Sequence, residues 1–190
     1  MNVEEAIRTR RSIGKVKDEP VPRELLERML EAAVWAPNHH QTEPWKFVVM
    51  TGEGRKTLGR AYAEIASGHS PNLSEQERAE LHKREEAKAN RAPVVIAVVC
   101  SPSEAPRVSR AEEFAAANSA VQNLLLSAHA SGLGAVWRSG DPMYHPAMKS
   151  AFGLQPQEEL VGLVYVGYPD LQPPEGKRIP AASKTIWIEA

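Results

Sequence analysis

The sequence predicts a single domain of the α/β or α+β class, with four or five strands enclosed by helices. Segments in which apolar residues recur at helical spacing alternate with short runs rich in β-branched and aromatic residues. The chain has 190 residues, the size of one ordinary domain. It contains no internal repeat, low-complexity tract or recognisable linker, so we expect one domain over residues 1–190.

The first predicted helix begins at Asn2, which is followed three residues later by Glu5 in the pattern of a capping box. It directs Val3, Ala6 and Ile7 inward and ends in a basic cluster. The other elements of the first half are a helix over 22–34, a strand over 45–50, and helices over about 55–66 and 74–90. The last of these helices is so polar that it packs lightly, as a lid or an element facing a partner does.

The second half begins with a strand over 94–100, whose sequence VVIAVVC is apolar on both faces and therefore fits the centre of a sheet. The longest helical pattern, 110–131, is rich in alanine and nearly uncharged after Glu113, as expected for a helix buried in a core or at a subunit interface. Strands over 135–137 and 159–168 and a short helix over 146–152 complete the pattern. The proline-rich tail from residue 169 ends in a strand-like segment, 185–188, which we expect to reach another chain.

Composition argues against several classes of protein. Lys and Arg number 23 and Asp and Glu 24, so the formal net charge is -1 and a general nucleic-acid binder is disfavoured. The polar start is not a secretory signal, and the longest strongly apolar run, 94–100, is too short to cross a bilayer. Cys100 is the single cysteine and can form no internal disulfide. We therefore expect a soluble, cytoplasmic protein.

The sequence gives little support to a metal site or a covalent nucleophile. His39 and His40 are adjacent, so we expect their rings to diverge, and His129 and His145 have no Cys or carboxylate at a ligand spacing. His129 fits a hydrogen-bonded helix histidine. Cys100 ends a buried strand without an adjacent cation, as an inert core thiol does. A nucleophile elbow, a dinucleotide fingerprint and a P-loop are also missing.

Three segments instead have the composition of a ligand-binding site. Arg10 and Arg11 precede Ser12 at a helix end, and their guanidinium and hydroxyl groups suit a phosphate. Basic residues at a helix C-terminus also interact favourably with the helix dipole, so a solvated helix cap is the alternative. Residues 35–45 form a stiff polar loop between two tryptophans, which suits a planar heteroaromatic ligand or is a connection whose tryptophans pack in the core. Residues 137–140, Trp-Arg-Ser-Gly, end a strand, where ligands bind in open sheets.

The order of these motifs resembles the nitroreductase family of FMN-dependent, NAD(P)H-using flavoproteins. RRS near residue 10, AP-x-H-x-x-x-x-PW near residue 40 and WRSG after a glycine-containing helix end follow one another as in that family. The resemblance covers about residues 2–180 and is closest to the small, minimal branch. It implies an α+β fold with a central, mainly antiparallel sheet flanked by helices. It also implies a homodimer with FMN at the subunit interface and a C-terminal arm that reaches the partner subunit.

The resemblance further implies which residues hold FMN. They are Arg10, Arg11, Ser12, Trp35, Pro37, Asn38, His39, Gln41, Trp137, Arg138, Ser139, Gly140, Lys177 and Arg178. The RRS motif would hold the phosphate and ribityl chain, with the basic pair of the tail. The loop would reach the flavin from the other subunit, and WRSG would line the isoalloxazine ring. No side chain is expected to be catalytic, because flavin N5 carries the hydride.

The chain departs from the family pattern at three positions. Gly14, followed by Lys15, stands where a basic residue is common two places after the serine, so the cation near the flavin N1 edge is unassigned. Glu43 stands where a glutamine commonly precedes Pro-Trp. Trp35 stands where the small branch often has a basic residue, which exchanges a charge contact for stacking.

The resemblance predicts an FMN-dependent oxidoreductase that takes a hydride from NAD(P)H and reduces a small acceptor such as a nitroaromatic or a quinone. Because no dinucleotide fingerprint offers a separate nicotinamide site, we expect donor and acceptor to use one cleft in turn, in a ping-pong mechanism. Two alternatives stay open. One is a different flavoenzyme on the same scaffold, such as a dehalogenase, and the other is a flavin-binding store or sensor without turnover.

Overall fold

The computed structural model describes residues 1–189, in which seven α-helices and four strands alternate. In chain order they are α1 (Val3–Thr9), α2 (Arg23–Val34), β1 (Trp45–Thr51), α3 (Lys56–Gly68), α4 (Glu75–Glu86), β2 (Val94–Cys100), α5 (Arg110–Ala130), β3 (Gly134–Arg138), α6 (Asp141–Tyr144), α7 (Pro146–Ala151) and β4 (Glu159–Gly167). The capping box at Asn2 is present, and a second begins α4 at Ser74. The predicted helices and the four strands up to residue 168 are thus confirmed.

The four strands form one sheet in the order β1-β2-β4-β3, and each neighbouring pair is antiparallel. This confirms the predicted class, an antiparallel sheet flanked by helices. Every residue of β2 is buried, as its continuous apolar sequence predicts, because β2 and β4 occupy the middle of the sheet. The strand β1 forms one edge, and the other edge, β3, is extended by an isolated bridge between Ser12 and Ala135.

Helices cover both faces of the sheet and produce two layers of core. On one face, α2 and α5 pack together over side chains such as Ile96 and Val164. On the other face, α3 and α7 cover Val95, Leu163 and their neighbours. The inner face of α5 is completely buried, and Leu124 lies at its centre. Because α5 crosses the whole sheet, its two ends mark opposite ends of the domain.

Both termini differ from the sequence prediction. Val3 and Ile7 were expected to point inward with Ala6, but only Ala6 of α1 is buried, while Val3 is 73% and Ile7 54% exposed. This short helix packs against α5 through a narrow contact. The predicted strand at 185–188 is wrong for the single chain: these residues form no ladder and are exposed, since no strand of the described chain adjoins them.

Two smaller differences concern short elements. The charged helix predicted over 74–90 ends at Glu86 and continues as a 3-10 turn over Ala87–Asn90. The sequence prediction also missed α6, whose four residues are too few for a periodic pattern. In the part of the chain that is described, no helix is long and apolar enough to cross a membrane.

Candidate functional site

Arginine side chains converge where α1 ends, next to β3 and the proline-rich tail. Arg10 caps α1, and its N–H donates to the carbonyl oxygen of Ala6. Partial burial, followed by the positive charges of Arg178 and Arg11, lowers the pKa of Arg10 below its ordinary value. Within the described residues no carboxylate forms an ion pair with any of these three side chains. Cations gathered without a carboxylate favour the binding of an anion.

The guanidinium of Arg11 is already bonded to main-chain carbonyl groups. Its Nη1 donates to the carbonyl oxygens of Arg8 and Arg10 at 2.7 Å each, and its Nε donates to that of Pro174 at 3.2 Å. Gly176 packs against it so closely that an added Cβ would lie 1.8 Å from Nη2. The side chain of Arg11 therefore bonds to carbonyl groups at the end of α1, as expected if the basic residues there stabilise the helix end. It also anchors the tail.

The main chain around Ser12 fixes this arginine cluster beside β3. Ser12 forms a parallel bridge with Ala135, and the N–H of Ile13 donates to the carbonyl oxygen of Ala135 at 2.9 Å. On the tail side, Lys177 and Arg178 are exposed, and Arg178 Nη1 donates to the carbonyl oxygen of Lys177 at 2.8 Å. The RRS motif and the basic pair of the tail are thus brought together.

A cavity of about 220 Å³ opens beside the arginine cluster, between α1 and the C-terminal end of α5. His129 lines it, and its Nε2 lies 2.7 Å from Thr9 Oγ1. Since that hydroxyl donates to the carbonyl oxygen of Glu5, His129 Nε2 is the donor to Thr9. Burial, then the charges of Arg10 and Arg11, lowers the pKa of His129, which favours the neutral ring. His129 is the hydrogen-bonded helix histidine that the sequence predicts.

The indole of Trp137 packs against Gly162 of β4. Its Nε1 donates to the carbonyl oxygen of Val161 at 3.3 Å. A Cβ added to Gly162 would lie 2.2 Å from Trp137 Nε1 and 2.7 Å from the carbonyl oxygen of Arg138. The position of the WRSG segment therefore depends on a glycine in the neighbouring strand.

Arg138 extends over the opposite face of the sheet, toward Gly14. Its Nη2 lies 3.6 Å from the position that a Cβ on Gly14 would occupy, and its guanidinium lies 5.7 Å from the centroid of the Tyr165 ring. A cation is therefore present next to Gly14, although it comes from β3. Gly140 then turns the chain into α6 with a φ of 110°, which side chains disfavour, and Ser139 before it is exposed.

The loop over residues 37–43 is the most strained part of the described backbone. His40, Gln41 and Glu43 have φ values of 58°, 55° and 49°, which non-glycine residues rarely adopt. Within the loop, Asn38 Oδ1 accepts a hydrogen bond from the N–H of Glu43 at 3.0 Å. Backbone strain of this kind concentrates at functional sites, where the surrounding structure holds it in place.

The rings of His39 and His40 are stacked, with centroids 3.9 Å apart, so the expected divergence is wrong. The left-handed backbone at His40 folds the second ring over the first. His39 Nδ1 also lies 3.1 Å from a carboxylate oxygen of Glu112 in α5. Pro37 and Gln41 are exposed, so the outer surface of the loop faces solvent.

The two tryptophans of this segment behave differently. Trp45 begins β1 and packs against the core, as the structural interpretation of the sequence predicts. Trp35 caps α2 and is 78% exposed, with its Nε1 3.2 Å from Glu31 Oε1, to which it donates. An indole left this exposed is free to contact a ligand or another chain.

The predicted site residues fall into two groups at opposite ends of α5. Residues 10–14, β3 and the tail form the first group, next to His129. The loop over residues 37–43 forms the second, next to Glu112. Seventeen helical positions separate these two residues of α5, about 25 Å at 1.5 Å per residue. One chain therefore does not bring its loop to its own arginine cluster.

The structure gives no support to a cysteine nucleophile or to a metal site within the described residues. Burial, followed by the negative charge of Glu113, raises the pKa of the Cys100 thiol to about 11, so it is protonated near neutral pH. Over residues 1–189, no three His, Cys, Asp or Glu side chains are placed to hold a metal ion. What the arrangement offers is an anion site beside an aromatic strand end.

Comparison with known proteins agrees with this geometry. The family model described as the nitroreductase family matches residues 7–168. The chain is 39% identical over 175 residues to "Putative NAD(P)H nitroreductase YfhC" of Bacillus subtilis (strain 168), which covers 92% of this chain and 88% of that protein.

Solved structures show the same likeness. A nitroreductase-like family protein from Bacillus cereus superimposes with a TM-score of 0.85 at 34% identity, over 100% of this chain and 97% of that chain. A protein from Desulfovibrio desulfuricans, solved in complex with FMN, superimposes with a TM-score of 0.73 at 30% identity. The match covers 100% of this chain and 98% of the other.

Proposed function

Because the chain belongs to the nitroreductase family, we propose that it is an FMN-dependent oxidoreductase that takes a hydride from NAD(P)H and reduces a small acceptor such as a nitroaromatic or a quinone. The observation that carries the proposal is the convergence of Arg10 and Arg178, which have no acidic partner among residues 1–189. The FMN complex of the relative from Desulfovibrio desulfuricans and the name of the Bacillus subtilis relative support it.

The arginine cluster fits the phosphate group of FMN. Arg10 and Arg178 repel each other in the free protein, so a dianion between them relieves that repulsion and gains charge-assisted hydrogen bonds. Ser12 and Lys177, exposed and adjacent in sequence to Arg11 and Arg178, offer further donors. Arg11, bonded to main-chain carbonyl groups, contributes mainly charge and holds the tail in place.

The end of β3 fits the isoalloxazine ring. Trp137 is 37% exposed, and the exposed Ser139 and half-buried Gly140 follow it. Arg138 places a positive charge beside Gly14, on the opposite face of the sheet from Trp137. When bound here, FMN would supply the redox chemistry, taking a hydride from NAD(P)H and reducing the acceptor. The chain itself binds, orients and shields the reacting groups.

The separation of the two groups of site residues supports a homodimer with the flavin at the interface. A loop at the opposite end of α5 from its own arginine cluster, about 25 Å along that helix, contributes to the site only if it serves the flavin of a second subunit. Pro37, Asn38, His39 and Gln41 are then the partner-side residues. Trp35 contacts the same ligand or the neighbouring chain.

The C-terminal arm supplies the second dimer contact. Ile186 and Trp187 are 89% and 79% exposed, which costs free energy unless another surface covers them. The edge strand β1 borders a groove of about 690 Å³ whose lining includes Leu26, Leu30 and Val49. We assign this groove to the arm of the partner subunit, because an extended apolar segment beside an open strand edge adds a strand to the sheet.

The visible spectrum of the purified protein, followed by anaerobic mixing with NADH or NADPH, tests the proposal. An enzyme shows the bands of oxidised flavin and loses them on mixing, then regains them with a nitroaromatic or a quinone. A store or sensor keeps its oxidised spectrum. Because one cleft serves donor and acceptor, initial rates at several fixed acceptor concentrations should give parallel double-reciprocal lines. Intersecting lines would rule out the ping-pong mechanism.

A further inference from the structure

Glu113 in α5 is a fully buried carboxylate that the proposed function does not use. Its side chain is 0% exposed, and among the described residues no basic group lies within ion-pair distance. Burial of a charge without a counterion is costly and persists only where hydrogen bonds compensate for it. Its position in the first turns of α5 adds the favourable end of the helix dipole.

The two carboxylate oxygens of Glu113 connect two different loops. Oε1 accepts a hydrogen bond from Thr42 Oγ1 at 2.5 Å, and Oε2 accepts one from the N–H of Ser103 at 2.9 Å. Thr42 belongs to the strained loop before β1, and Ser103 belongs to the loop after β2. The N–H of Ser101 also donates to the carbonyl oxygen of Pro44, so the two loops meet beside the carboxylate.

The bond to Glu113 attaches the strained loop to the body of the domain. Thr42 lies between Gln41 and Glu43, both in the left-handed region. His39, His40 and Gln41 are exposed and bury little apolar surface that could hold them. A strained, exposed loop keeps one conformation only if a strong contact fixes it, and a buried carboxylate with a hydroxyl donor is such a contact.

We propose that Glu113 is a positioning residue that holds the loop over residues 37–43, through Thr42, in the conformation that meets the flavin of the partner subunit. The last step rests on the proposed function. A loop fixed before the flavin binds loses less conformational entropy on binding, so this contact increases the affinity for FMN without touching it.

Two substitutions remove the contact from its two sides. Thr42→Val deletes the donor, together with its longer 3.3 Å contact to the carbonyl oxygen of His39, and leaves the bond from Ser103 to Glu113. Glu113→Met deletes both acceptors at similar side-chain length and leaves the contact to His39, so an effect common to both variants reports the bond to Glu113. Glu113→Gln keeps an acceptor for Ser103 and an amide that donates to the hydroxyl of Thr42 but removes the charge, so it should restore the loop in part. Glu85→Gln is the control, because Glu85 is another buried carboxylate, in α4, with Lys88 as its partner.

Amide hydrogen exchange in the flavin-free protein reports the loop directly. The N–H of Glu43 should exchange about tenfold faster in Thr42→Val and in Glu113→Met, the loss expected for one net hydrogen bond. The N–H of Ser103 should exchange faster in Glu113→Met alone. Glu85→Gln should resemble the wild type, and Glu113→Gln should exchange at a rate between those of the wild type and Glu113→Met. Unchanged exchange at Glu43 in Thr42→Val would overturn the proposal, even if Glu113→Met fails to fold.

FMN titration of the same proteins tests the positioning role. The dissociation constant should rise severalfold in Thr42→Val and Glu113→Met and return toward the wild-type value in Glu113→Gln. Faster exchange at Glu43 with unchanged FMN affinity would mean that Glu113 only stabilises the fold. A wild-type protein that binds no FMN would refute the proposed function and the positioning role together, whereas the exchange data would still show whether Glu113 holds the loop.

Discussion

Replacement of Arg10 by alanine should weaken the binding of the FMN phosphate without affecting the binding of the flavin ring. Arg10 lies among positive charges, and partial burial and those charges lower its pKa. The free protein therefore gains little from this side chain, and its loss should leave the unfolding temperature unchanged or slightly higher. FMN, in contrast, loses a charge-assisted bond, which is worth about 1.5–3 kcal/mol. We expect its dissociation constant to rise roughly tenfold to a hundredfold.

Riboflavin provides the internal control, because it lacks the phosphate group and retains the isoalloxazine ring. Quenching of flavin fluorescence by the flavin-free protein measures both affinities. Arg10→Ala should weaken FMN binding and leave riboflavin binding unchanged, whereas Arg8→Ala, an exposed arginine of α1, should affect neither. Equal losses for the two flavins would place Arg10 at the ring, and an unchanged FMN affinity would refute the phosphate assignment.

Three further predictions concern stability, reactivity and assembly. Gly162→Ala should lower the free energy of unfolding by about 1–3 kcal/mol in denaturant titrations, because its methyl group needs the space of the Trp137 indole; unchanged stability would contradict this packing. Since its pKa is raised to about 11, Cys100 should react with a thiol reagent at pH 8 only after unfolding, and rapid labelling of the native protein would count against its burial. Trp187→Asp should give a monomer in sedimentation equilibrium and a weakened FMN affinity in the fluorescence titration. A persistent dimer would exclude the arm as an essential contact.

The elements that the sequence predicts well are those whose hydrophobic pattern alone requires burial on a particular face or on several sides. The run VVIAVVC has no polar face, so β2 could only lie in the middle of a sheet. The alanine-rich pattern of α5 similarly requires burial on several sides. The arm over residues 185–188 has strand composition, but a strand needs a neighbour, and the described part of the single chain offers none there.

Within the site, residue types were easier to predict than their contacts. The arginines, the stiff loop and the WRSG segment stand out by composition, whereas the stacked rings of His39 and His40 depend on a left-handed backbone that no sequence pattern indicates. Gly162 matters only because of the register that places Trp137 above it. Glu113 gives one signal, a single acid on the inner face of an apolar helix, which is rare without a partner.

The contacts of Arg11 tie the beginning of the chain to its end, with a consequence for synthesis. While α1 emerges from the ribosome, Pro174 does not yet exist, and Arg11 can bond only to the carbonyl groups of its own helix. Arg178 joins Arg10 still later, after every strand has been made. A nascent or truncated chain therefore has a nearly complete sheet but no arginine cluster. Any ligand that requires both arginines binds only to finished chains.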